Sequence, residues 1–221
     1  MTLRSAVINR ANEISEELEI DGQTCSCCQT DMARWADQTL VVYRDRTDEE
    51  IRDISVAQRS VTRWGPPKNV HDDGWKIEGC PVNGPAIAVG KETGLVFWPT
   101  FIDEQMRLRY VVAESPEALT DGPRVYTPQL PAAPSGRVDA VTWYDGFLLT
   151  WISRARDRPA VEFAVLEKSG RLHLGAPIAE PALRGRSTGF PRAASDGKRG
   201  LVVWPEVGND GMPVIGVALI R

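Results

Sequence analysis

All four cysteines of the chain sit in two short segments, Cys25, Cys27 and Cys28 in residues 25–28 (CSCC) and Cys80 in residues 74–85 (GWKIEGCPVNGP). As thiolates they would suit Zn²⁺ or Cu(I), which favour soft ligands, with His71, Asp72 and Asp73 in reach should the loop before Cys80 fold inward. As disulfides they would pin one segment to the other, each bridge stabilising by roughly 2 to 4 kcal/mol. The C-x-C-C spacing is neither a zinc ribbon nor a finger, and adjacent cysteines make a poor ligand pair. Disulfides are therefore the expectation, with a thiolate metal site and free buried thiols left open. Disulfides would call for an oxidising compartment, thiolates for a reducing one or a metal.

These segments must be placed by the elements around them, and the chain has a repeat that does so. Four apolar runs, 40–43, 95–98, 148–151 and 201–204, end in Tyr43, Trp98, Trp151 and Trp204, at steps of 55, 53 and 53 residues. Each follows a polar or glycine-bearing turn and is flanked by further short apolar runs at the same step, with hardly any helical periodicity after residue 20. Units of roughly 50 residues with about four strands each predict an all-β chain folded as a β-propeller. The competing reading is a β-sandwich with evenly spaced strands.

The expected organisation is one propeller domain over residues 1–221, with four recognisable four-stranded blades at about 31–70, 84–126, 137–178 and 190–221. The last unit stops after three strands. Residues 14–20 are expected to supply its missing outer strand and close the ring; otherwise the chain is a piece of a larger six-bladed ring whose free edges would self-associate. In a propeller, the segments entering the inner strands and leaving the second strands share one mouth. Here those are 21–31, 71–84, 127–136 and 180–189 on entry, and 44–50, 100–105, 153–159 and 205–212 on exit. Cys25 and Cys80 are 55 residues apart, matching the first repeat step, so they should meet on adjacent blades.

Charge and composition exclude some functions. Lys plus Arg total 26 against 30 Asp plus Glu, a net charge of −4, with no basic run to track a phosphate backbone, so nucleic acid is not an expected partner. No window approaches the ~18 apolar residues of a membrane span. Residues 1–10 lack the apolar core and cleavage site of a signal peptide, as a cytosolic protein would, or a processed or truncated exported one.

Residues 42–46 (VYRDR), 51–57 (IRDISVA) and 63–67 (RWGPP) resemble the strand, Asp-box and tryptophan pattern of the sialidase-like β-propeller superfamily, the bacterial neuraminidase repeats. The CSCC segment, together with Gly74-Trp75 and residues 79–85, is similar to a bacterial subgroup of that superfamily whose members are uncharacterised and usually exported. The resemblance covers about residues 21–221. It implies a sialidase-like propeller, a periplasmic or secreted location and a carbohydrate or other small ligand. The superfamily's Asp box reads Ser-x-Asp-x-Gly-x-Thr-Trp, whereas residues 55–64 lack both its Asp and its Gly.

A sialidase-type exo-glycosidase would need converging arginines for a substrate carboxylate, an acid, and a Tyr activated by a Glu. Arginines on mouth segments are Arg44, Arg46, Arg154, Arg156, Arg158 and Arg186, and acids are Asp45, Asp73 and Asp157. No Tyr–Glu pair stands out there; Tyr43, Tyr110, Tyr126 and Tyr144 are expected to pack in strands and turns. Trp75, in a loop between Gly74 and Lys76, offers a flat face to a sugar or cation, or else plugs the mouth over the cysteines. The expectation is a propeller without proven hydrolytic activity that binds a ligand through Arg44, Arg46, Asp73, Trp75 and Asn83, with Cys25, Cys27, Cys28 and Cys80 holding loops. An exo-acting glycoside hydrolase and a thiolate Zn or Cu protein are the alternatives.

Overall fold

The computed structural model describes every residue except 62, 156–157 and 184–187. The described chain is mainly strands and turns, with a short 3-10 turn at Glu117–Leu119. No described helix is long and apolar enough to cross a membrane.

An N-terminal hairpin, β1 (Leu3–Ile8) and β2 (Ile14–Asp21), precedes four antiparallel meanders. The first blade holds β3 (Asp31–Trp35), β4 (Gln38–Arg44), β5 (Ile54–Ser60), β6 (Arg63–Trp64) and β7 (Lys68–His71). Its outer strand is split because Pro66 and Pro67 carry no N–H to donate, so β6 and β7 pair separately with opposite ends of β5. The second blade is β8 (Ala86–Val89), β9 (Gly94–Ile102), β10 (Gln105–Ala113) and β11 (Val125–Tyr126). The third is β12 (Ala133–Trp143), β13 (Gly146–Ala155), β14 (Arg158–Leu166) and β15 (Leu172–Leu174). The fourth has three strands, β16 (Arg192–Ser195), β17 (Gly200–Val207) and β18 (Pro213–Ile220).

The blades pack face to face in chain order, which explains why the second strands read as continuous apolar runs: both their faces are covered. On β9, Val96 and Trp98 pack against Leu40, Val42, Ile54 and Val56 of the first blade. The alternate residues Leu95 and Phe97 pack against Val138, Leu149 and Trp151 of the third. Leu148, Ile152 and Val161 then meet Val202 and Trp204 of the fourth. The repeat thus gives a β-propeller of four recognisable blades.

Side chains near the axis fasten successive inner strands. Asp31 accepts from Ile87 N at 2.9 Å, Asn83 from Arg137 N at 3.2 Å and Asp139 from Ala193 N at 2.7 Å. Burial raises the pKa of Asp139, opposed by its bonds from the backbone and by Arg192. Gln29 Nε2 donates at 2.8 Å to Val138 O, reaching from the first blade to the third.

The closing strand forms differently from the expectation. β2 pairs with β1, not with β18, and the hairpin lies on the first blade. Trp64 Nε1 donates to Ser5 Oγ at 2.8 Å and Arg59 pairs with Glu16 at 2.6 Å. Three residues past the end of β2, Thr24 is bridged to Asp45, which anchors the link beside the first blade. The outward face of the fourth blade is consequently open: Leu201 is 38% exposed, Val217 59% and Leu219 47%, whereas Leu95 and Leu148, the equivalents of Leu201 in earlier blades, are at 0%.

Candidate functional site

The mouth between the first and second blades is filled by the residues expected to bind a ligand. Arg44, at the end of β4, is 1% exposed. Its Nε donates to Asn83 O at 2.5 Å, Nη1 to Arg52 O at 2.5 Å and Nη2 to Pro99 O at 2.6 Å. The Trp75 ring, itself buried, lies 4.6 Å from the guanidinium carbon. The indole does take a cation, and the cation is the protein's own. Burial draws the Arg44 pKa downward, while Asp73 and Asp53 oppose the shift.

Asp53 holds the Trp75 loop, accepting from Gly74 N at 3.0 Å and Trp75 N at 3.1 Å. Burial raises its pKa, and those two backbone donors pull it back. The Asp73 carboxylate is buried, accepting from Trp98 Nε1 at 2.7 Å, lying 2.8 Å from His71 Nδ1 and pairing with Arg109. Asn83 spends its side chain on the third blade, donating to Ser135 O at 3.2 Å and accepting from Arg137 N. Arg46 alone of the five is partly open, in an ion pair with Glu50. Arg44, Asp73, Trp75 and Asn83 are therefore brought together, but as a plug with its polar atoms already matched.

The two cysteine segments do meet. Cys25 is bridged to Cys28 with Cα atoms 5.7 Å apart, and Cys27 to Cys80 at 6.1 Å, both within the usual disulfide span. Cys25 Sγ lies 3.7 Å from Cys27 Sγ, and Arg52 Nη1 lies 3.5 Å from Cys25 Sγ. Among the described residues, the grouped metal-type donors here are Cys25, Cys27 and Cys28; His71 faces Asp73, and Asp72 accepts from Asn69.

Tyr43 has a carboxylate partner that the sequence did not suggest: its hydroxyl donates to Asp21 at 2.5 Å. This is not an activated nucleophile. Tyr43 is buried, and burial first, then Asp21, raises its pKa well above the ordinary phenol value. The next residue, Arg44, points to the opposite face of the strand. The pair pins the hairpin to the first blade.

The open space lies one blade further on. A cleft of about 620 Å³ between the second and third blades is lined by Asn83, Glu104, Arg107, Leu130, Ser135 and Arg154, among others. Glu104 stands on the turn joining β9 to β10, where Asp103 and Glu104 both take positive φ (49° and 57°), the signature of a tight two-residue hairpin turn. Ser135 donates to Ile152 O at 3.1 Å, fixing the far wall. Of the other mouth residues, Arg158 pairs loosely with Glu180, while Arg156, Asp157 and Arg186 lie outside the described residues. The sequence placed 100–105 and 127–136 at the mouth but did not single out Glu104 or Arg107; two acids in a short turn beside that exit were the available signal.

No protein-family model and no curated protein sequence matches the chain. Solved structures do. One is a Trypanosoma rangeli sialidase in complex with the inhibitor DANA, at 9% identity and TM-score 0.58, over 97% of this chain and 41% of that one. A Bacteroides ovatus xyloglucan PUL protein, GH43B, matches at 16% identity and TM-score 0.55, over 89% and 39%. An α-L-arabinofuranosidase from Lactobacillus brevis matches at 10% and 0.54, over 86% and 66%. The fold is a β-propeller like theirs. At these identities the likeness is one of fold, and the chain spans less than two thirds of each of these three proteins.

Proposed function

We propose that this propeller is a carbohydrate-binding module, taking its ligand in the cleft between the second and third blades. The observation that carries the reading is the cleft's mixed lining. Arg107, Arg154 and Glu104 offer directional partners for hydroxyl or carboxylate oxygens, and Pro128, Leu130 and Pro134 offer apolar surface for the C–H face of a sugar ring. The folds it resembles belong to proteins that act on glycans, and its two disulfides suit an exported protein.

Binding is favoured over hydrolysis because glycosidic cleavage needs a pair of acids, or a Tyr–carboxylate pair with a separate acid. The described cleft lining holds one carboxylate, Glu104, and no tyrosine. Calorimetry with sialyllactose and xylotriose, beside a fluorogenic sialoside and xyloside, tests both halves. The expected result is binding of one of the two sugars, lost in the Arg107→Ala/Arg154→Ala double variant, without turnover. Turnover would establish the hydrolase instead; affinity unchanged in the double variant would move the ligand elsewhere.

A further inference from the structure

We infer that Cys25, Cys27, Cys28 and Cys80 form a redox-gated site for a soft cation of the Zn²⁺, Cd²⁺ or Cu(I) class, closed as two disulfides and open as four thiolates. The inference does not depend on the cleft.

Three of the four sulfurs already converge as ligands would: those of Cys25, Cys27 and Cys28 lie within 4.8 Å of one another, while that of Cys80 stands outside this group and joins it through its bond to Cys27. The adjacent Cys27 and Cys28 turn to different partners, Cys80 and Cys25, which separates the two sulfurs of a pair that would otherwise ligate poorly. A tetrahedral thiolate site with Zn–S bonds of about 2.3 Å has ligand sulfurs about 3.8 Å apart. The unbonded contact between Cys25 and Cys27 is 3.7 Å.

The bridges are also not what holds these segments in place. Residues 74–77 are tied to the first blade by the two bonds to Asp53, by Arg52 N to Trp75 O at 2.9 Å and by Ile77 N to Glu50 O at 3.0 Å. Cys25 is fixed through its own N–H to Arg44 O at 3.0 Å. The Cys25–Cys28 bridge closes a loop with a sequence separation of 3, which removes little unfolded-chain entropy. Cys25 and the segment leading to Cys80 are therefore held independently of the bridges. Arg52, buried beside Cys25 with Nη1 towards its sulfur and Nη2 paired with Glu50 at 2.7 Å, adds one positive charge next to a thiolate cluster. Cys80 is exposed, so reductant and metal can reach the cluster.

The chemistry balances with an external dithiol as reductant. Each disulfide takes up two electrons and two protons while the dithiol closes to its own disulfide; the four thiols then exchange their protons for one metal ion.

The test is anaerobic titration of the reduced and the oxidised full chain with Cd²⁺, followed by the cadmium–thiolate charge-transfer band and by native mass spectrometry. Near-ultraviolet circular dichroism reports the fold. The expected result is one Cd²⁺ per reduced chain, none per oxidised chain, a reduced metal-free protein that keeps its native spectrum, and at least tenfold weaker binding in Cys25→Ser and Cys80→Ser. A folded reduced chain without the band would overturn the inference. So would band strength unchanged in both variants, or unfolding on reduction, since the site is argued to stand without its bridges.

Discussion

At the mouth the junction between blades one and two is filled around Arg44, its own cleft of about 530 Å³ lying further out between residues 68–72 and 120–123, whereas the junction between blades two and three is open at the mouth. The difference traces to the residue after the run-ending aromatic. In the first blade this is Arg44, long enough to cross the junction and satisfy three carbonyls; in the second it is Pro99, which cannot. The loop leading into the second blade, 71–84, then folds over the guanidinium and lays Trp75 on it, while the walls 128–135 stand apart. An arginine at a propeller mouth is thus a seal or a ligand contact according to whether backbone acceptors lie within its reach.

Removing the seal should have the largest effect. Arg44→Leu leaves the carbonyls of Asn83, Arg52 and Pro99 without their donor and Asp53 without the charge that offsets its burial. We expect a loss of about 3 to 5 kcal/mol in urea denaturation, where a loss below about 1 kcal/mol would show the junction is not sealed this way. Trp75→Ala should follow, at about 3 kcal/mol, because a buried indole is lost from over the guanidinium. Leu130→Ala, on the half-buried wall of the open cleft, should cost only about 1 kcal/mol by the same measurement; equal losses at the two sites would erase the contrast. Arg154→Ala and Arg107→Ala should leave stability within about 0.5 kcal/mol of the parent while weakening sugar binding.

The smallest effect concerns pH. Asp53 in the plug has its pKa raised, chiefly by burial, so on acidification the folded protein takes up this proton before the unfolded chain does. Its contribution to stability therefore increases as pH falls from 7 towards the unfolded carboxylate value of about 3.9, and is lost again as pH rises through the folded pKa. Asp53→Asn should remove that increment, so the parent should gain on the variant by up to about 1 kcal/mol between pH 7 and pH 4.5. A gap that narrows on acidification would reverse the assignment.

Much of the architecture was legible because its cause is local and periodic. The apolar runs ending at Tyr43, Trp98, Trp151 and Trp204 each need covering on both faces, and the step between them places Cys80 beside the 25–28 segment. What stayed illegible depends on choices among equivalent partners. Nothing in the strand pattern distinguishes Arg44, which turns inward to backbone carbonyls, from Arg46, which turns out to Glu50. The edge that β2 would choose was open too, since its alternation fits any apolar face; Tyr43, Trp64 and Arg59 settle it for the first blade. Glu104 entered the cleft through a turn conformation, and such conformations are weakly encoded without glycine or asparagine.

Hydrogen exchange of the oxidised chain, with and without saturating sialyllactose or xylotriose, compares the two junctions directly. The account predicts slower exchange in residues 104–108 and 128–135 on adding the sugar that binds, with 71–84 unchanged. Slowing confined to 71–84, or none in either junction with both sugars, would contradict it.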